Sequence, residues 1–168
     1  MKKIVLYSTV LALSVSLIGC TVKENSKPSD GTNNHIEEQM QNDSLHEEVI
    51  SNLIKDFGSN LKLVSLLSPK ETLEKDMMEN YGEFVSEKLI EKWLSDPENA
   101  PGRLTSSPWP DRIEIDNIEK VSESEYKVQG KIVEVTNTEK DGELTRKIVL
   151  NVMKIDTKWL IDDVFFGE

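Results

Sequence analysis

The chain has 168 residues, with 31 Asp or Glu against 20 Lys or Arg and a formal charge of −11. That length suits one domain with appendages, and so acidic a surface repels nucleic acid and anionic headgroups, so neither is an expected partner. A single cysteine excludes an internal disulfide and paired-cysteine zinc spacing.

Met1-Lys2-Lys3 opens the chain, and an apolar run follows from Ile4 to Ile18. A basic start, a short apolar stretch and small residues at a cut site have the layout of a secretory signal. The run is shorter than the roughly 20 residues that a membrane-spanning helix needs. It closes on Leu17-Ile18-Gly19-Cys20, which resembles the bacterial lipobox. The resemblance implies that the Cys20 thiol receives diacylglycerol, that residues 1–19 are removed as a signal peptide, and that the new amino terminus is often acylated. An ordinary secretory signal with a chance cysteine is the competing reading. One acyl chain holds a protein marginally, at about 0.8 kcal/mol per buried CH₂, whereas two or three hold it stably. The implied location is the extracytoplasmic face of the cell membrane. Two of the basic residues and none of the acidic ones lie in the leader, so the mature chain carries about −13.

Residues 21–43 are polar with few apolar side chains. Such a composition cannot offset the entropy of ordering, so residues 20–43 are expected to be the lipidated cysteine and a disordered tether. A flexible segment of that length reaches roughly 25–30 Å. Ser44 and Glu47 make a capping box, which places the domain at 44–168. Leu45, Val49, Leu53, Ile54, Phe57, Leu61, Val64 and Leu67 keep helical spacing. Gly58 interrupts them at a cost of about 1 kcal/mol and marks a place to bend. Ser68, Pro69 and Glu71 start a second helix, which carries Leu73, Met77, Met78 and Tyr81 and stops at Gly82. A third begins near Ser86, carries Leu89, Ile90, Trp93 and Leu94, and ends before Asp96-Pro97. Residues 99–110 form an irregular, Pro-rich crossing.

Beyond Pro110 the apolar period drops to two. Ile113 and Ile115 alternate, and a phase slip before Ile118 and Val121 predicts a bulge near Asp116-Asn117. Tyr126, Val128 and Ile132 mark a second strand, Ile148, Leu150 and Val152 a third, and Trp159, Ile161 and Val164 a fourth. Asp141-Gly142 and, more weakly, Asp156-Thr157 read as turns, so the strands form an antiparallel meander. Helices followed by a meander give an α+β fold with helices on one sheet face. This order, with the closing strand Lys158-Trp159-Leu160-Ile161-Asp162-Asp163-Val164, resembles the NTF2-like superfamily. The likeness implies a cone, in which a curved four-stranded antiparallel sheet wraps the N-terminal helices. The stretch Ser107-Pro108-Trp109-Pro110-Asp111-Arg112-Ile113-Glu114-Ile115 is similar to one in uncharacterised lipoproteins of low-GC Gram-positive bacteria, a likeness that implies no activity.

The two histidines, His35 and His46, fall in the tether and the first helical turn. Neither is expected to reach a cleft, so histidine catalysis has no actor. No His-Glu-x-x-His, phosphate-loop or calcium-loop pattern occurs, and no catalytic residue, metal or cofactor is expected. NTF2-like enzymes often place an acid with Tyr or Trp inside the cone. That resemblance singles out Asp162, Asp163, Tyr81, Tyr126, Trp93 and Trp109. Adjacent strand residues face opposite ways, so one of the two aspartates can point inward, where an apolar wall would raise its pKa. The competing reading is a strand-end acid that faces water or pairs with a basic neighbour such as Arg112.

Trp93, Arg103, Trp109 and Arg112, with Asp162, are the candidate ligand-binding residues, as the rim of a pocket or a partner patch. Against this, both tryptophans can plug the wide end of the cone, and Trp109 is expected to be such a plug. The reading reached is a noncatalytic binding or accessory module, held at the membrane by lipid, with an envelope protein as the partner to look for. The alternative is a small enzyme, an isomerase or hydrolase of an apolar ligand, using a cone carboxylate.

Overall fold

The computed structural model describes residues 32–136 and 143–167, with side chains from Met40 onward. Helices α1 (Thr32–Asn60), α2 (Lys70–Tyr81) and α3 (Glu87–Ser95) precede strands β1 (Trp109–Ser122), β2 (Glu125–Val135), β3 (Leu144–Ile155) and β4 (Lys158–Phe166). The strands make one antiparallel sheet in the order β1-β2-β3-β4. This is the α+β meander that the change of period predicts.

The first helix departs from expectation in its start and in its buried face. It begins at Thr32, so Ser44 sits inside the helix and caps nothing. Asp43, assigned by composition to the tether, instead pairs with Lys120 of β1 at 2.6 Å. Order there comes from docking on the sheet, which composition does not register. Ile54, Phe57, Leu61 and Val64 are buried as their spacing predicts, but one turn earlier the buried residue is Ile50, while Leu45 and Val49 are about half exposed, at 54% and 50%. At Val49 against Ile50 the expectation is out by one residue, about 100° of helix. The helix then ends at Asn60 in a 3₁₀ turn over Leu61–Leu63, and Leu67 is exposed.

Gly58 does not interrupt this helix. A Cβ there would lie 2.6 Å from the Ile113 backbone nitrogen, so the missing side chain lets α1 press directly on β1. Helix α2 starts at Lys70 with Pro69 in the cap position and no side-chain cap, one residue later than the Ser68 box implies. Helix α3 starts as read: the Ser86 hydroxyl accepts the Leu89 N–H at 3.2 Å.

The expected bulge is present, between Ile115 and Asn117. Asp156 takes φ 55° in the β3–β4 turn, a left-handed conformation that Asp tolerates better than most residues. Asp141-Gly142 lies outside the described residues. The free edge of β4 is capped near its middle. Ile161 donates its N–H to Phe84 O and accepts from Ser86 N–H, each at 2.9 Å, so the α2–α3 link covers a sheet edge.

Each helix contributes one ring to the core. Phe57 of α1 stacks on Trp93 of α3 with centroids 6.4 Å apart and planes 7° from parallel. Tyr81 of α2 meets both edge-on, at 5.1 and 6.0 Å. Its hydroxyl donates to Pro101 O at 2.8 Å, tying the helices to the crossing. Val128, Ile132, Leu150 and Ile161 of the sheet, all fully buried, belong to the same apolar cluster as these rings.

Trp93, at 1% exposure, is therefore the plug. Trp109 is not: it is half-buried at the first position of edge strand β1, opposite Val135. Its flanking prolines direct the chain onto the sheet but leave the ring at the sheet's corner. Trp93→Ala should accordingly cost about 3–5 kcal/mol, as large-to-small core changes do, and Trp109→Ala about 1 kcal/mol or less. Denaturant unfolding of both variants checks the contrast, and equal losses would contradict it.

Candidate functional site

The structure separates the five candidate ligand-binding residues. Trp93 belongs to the core, and the two aspartates of β4 point to neither cone nor open water. A bulge falls at Asp162, because Asn151 pairs with Asp163 while Val152 pairs with Ile161. The bulge breaks the strict alternation that would send one acid inward. Asp162 therefore meets Lys88 at 3.3 Å and Asp163 meets Lys92 at 2.7 Å, both lysines on α3. The basic partner of Asp162 is thus Lys88, and Arg112 is elsewhere.

Arg112 is on the outer face of the sheet. It binds Glu114 at 2.7 Å and Glu143 at 3.0 Å, and Glu114 also meets its cross-strand partner Lys131 at 3.1 Å. Hydrogen bonds from Arg112, then from Lys131, hold the Glu114 carboxyl below its usual range. This charged ladder occupies the Arg112 guanidinium.

Arg103 and Trp109 do come together. With Lys62 and Ser106 they line a pocket of about 320 Å³ beside the crossing. The backbone of Arg103 is fixed there by a parallel bridge to Ser65: Arg103 N–H donates to Val64 O at 2.9 Å, and Leu66 N–H donates to Arg103 O at 3.0 Å. Gly102 permits that approach, since a Cβ on it would come within 2.8 Å of Leu66. Thr105 Oγ1 donates to Pro108 O at 2.9 Å and braces the loop before Trp109. Lys62 reaches the site from the 3₁₀ turn that follows α1, with Asp111 3.3 Å away. The Arg103 side chain has no ion pair or hydrogen bond among the described residues. Sequence reading missed Lys62 because it lies 41 positions before Arg103 and meets it only through the fold.

A second cluster was also missed. His46, expected to stay clear of any cleft, packs on Trp159 at 5.2 Å and near Tyr126 at 6.4 Å, and the last two rings are 5.3 Å apart. His46 Nδ1 and Tyr126 Oη are buried without a hydrogen-bond partner. Burial, and then the nearby Asp43 charge, push the Tyr126 hydroxyl up. The Tyr81 hydroxyl is pushed far up by burial alone, so it acts as a fixed donor to Pro101 and has no acid–base use at neutral pH. A helix starting at Ser44 puts His46 in a fraying first turn; the longer helix brings it down on the sheet.

No family model and no curated protein matches the chain. Among solved structures it is similar to an NTF-2 like protein of unknown function from Shewanella oneidensis MR-1, with 18% identity over 70% of this chain and 98% of that one and a TM-score of 0.43. It is also similar to a protein of unknown function from Bacteroides thetaiotaomicron VPI-5482, with 17% identity over 77% and 98% of the two chains and a TM-score of 0.46. Three helices packed on a four-stranded antiparallel sheet is the α+β arrangement that the NTF2-like resemblance implies.

The outer ladder gives a pH test. A carboxyl held low in the folded state stabilises above the ordinary range, about pH 4.3, and that contribution is lost as pH falls through the folded-state value. Glu114→Gln should lower the unfolding midpoint at neutral pH, and the gap should shrink as pH falls below the ordinary carboxylate range. A gap that stays the same size as the pH is lowered would show that charge is not what Glu114 supplies.

Proposed function

We propose that the chain is a noncatalytic binding or accessory module, held by lipid at the extracytoplasmic face of the cell membrane. The observation that supports it best is the filled interior. Phe57, Tyr81, Tyr126, Leu150 and Ile161 have no exposed surface between helices and sheet, so an apolar substrate has no ready seat there. Pockets that the described residues line open on the surface, one along the outside of the α1–β1 contact at Ser51, Lys55 and Arg112–Ile115 and another onto Arg103 and Trp109. On this reading a partner in the envelope is met from outside the cone. The anchor rests on the leader, where Leu17-Ile18-Gly19-Cys20 follows a basic start and an apolar run.

The small-enzyme alternative draws on one observation, the orphaned His46 Nδ1 and Tyr126 Oη in an aromatic setting. Thermal melts with saturating steroid or fused-ring hydrocarbon separate the two. A ligand bound only to the folded state raises its stability by about 2.7 kcal/mol at a hundred times Kd, so an open cone gives a clear rise. The filled cone predicts an unchanged midpoint.

Anchoring is tested by growth with a fatty-acid analogue. Cys20→Ser should abolish incorporation, because no other thiol is present, and leave the leader uncut by the lipoprotein-processing peptidase. Equal labelling of both chains would refute the lipid anchor.

A further inference from the structure

We propose that the pocket at the crossing is a carboxylate-binding site, in which Arg103 grips the acid, Lys62 assists, and Trp109 takes an adjoining planar or apolar group. This deepens the binding-module reading and rests on it. The chain holds three arginines, Arg103, Arg112 and Arg146. Arg112 is paired with Glu114 and Glu143, and Arg146 faces Glu134 at 3.8 Å. In a protein with an excess of eleven acidic charges, the Arg103 guanidinium alone among these three has no carboxylate beside it among the described residues.

That exception is placed, not left over. The backbone bridge to Ser65 fixes where the side chain starts, and the pocket it lines contains a second cation, Lys62, and one aromatic ring. Asp111, the nearest acid to Lys62, is shared between Lys62 at 3.3 Å and Arg112 at 3.5 Å. The lining is therefore net positive on a strongly negative molecule, which selects an anion. A guanidinium presents two parallel N–H donors that match the two oxygens of a carboxylate. The face of Trp109 adds a contact for a ring or apolar side chain next to that group. The volume, about 320 Å³, sits at the small end of ligand pockets. It suits a small organic acid or the terminal residue of a peptide.

The test titrates the full chain in nonionic detergent with naphthoate and with neutral naphthamide, following tryptophan emission. The acid should bind about tenfold more tightly or better, the equivalent of one charge-assisted pair. Arg103→Gln keeps the backbone bridge and should erase that preference, with unchanged circular dichroism, and Arg103→Lys should restore part of it. Equal affinity for acid and amide, or a preference that survives Arg103→Gln, overturns the proposal. Two further arms identify the source: a short peptide ending in Phe with a free carboxylate, and the same peptide amidated. Tighter binding of the peptide acid than of naphthoate assigns the site to chain ends, and the reverse assigns it to small acids. Entry of an apolar ligand into the cone would sink the module reading itself, whereas equal titration of acid and amide sinks only the carboxylate chemistry.

Discussion

Three rings, one from each helix, decide how this domain closes. Phe57 and Trp93 lie nearly parallel while Tyr81 stands edge-on to both, and each such pair is worth roughly 0.5–1.5 kcal/mol beyond the area it buries. The arrangement needs α1 close to the sheet, which Gly58 permits by meeting Ile113 backbone to backbone. It also needs the crossing held near α2, which the Tyr81 hydroxyl does through Pro101. From Pro101 the chain runs directly into Gly102 and Arg103, so the core and the pocket at the crossing share one fixed segment.

A closed interior moves any binding outward. The acids of β4 are consumed by Lys88 and Lys92 of α3, and the Arg112–Glu114–Lys131 ladder occupies one part of the outer sheet face. Among the surface pockets, the one at the rim is where Arg103 and Trp109 stand beside Lys62. The lipid anchor proposed at Cys20 would set how far that rim stands from the bilayer. Because α1 extends back to Thr32, a rigid helix replaces much of the flexible reach that composition suggests.

The strands were legible in the sequence because period-two alternation and a phase slip are local signals, and Ser86 announced α3 for the same reason. The start of α1 was not, since Asp43 is ordered by Lys120, which is 77 positions away. The C-terminal half of the α1 stripe, Ile54 and Phe57, was legible, but its first turns were not, because Leu45 and Val49 are as apolar as Ile50 and only contact with the sheet chooses between them. Trp109 and Trp93 could not be told apart by residue type; one stands in a helix facing two other rings, the other at the corner of an edge strand. Of the five candidate ligand-binding residues, Arg103 and Trp109 share a pocket. Asp162 was diverted by a bulge, and Arg112 by its acidic neighbours on the same sheet face.

The central claim is that the space between helices and sheet is solid. Diffraction from crystals pressurised with xenon tests it most directly, since dry apolar cavities of about 150 Å³ take up the gas readily. The account predicts no xenon between the helices and the sheet. A xenon site bordered by Phe57, Tyr81 and Trp93 would contradict it and return the search for function to the inside of the cone.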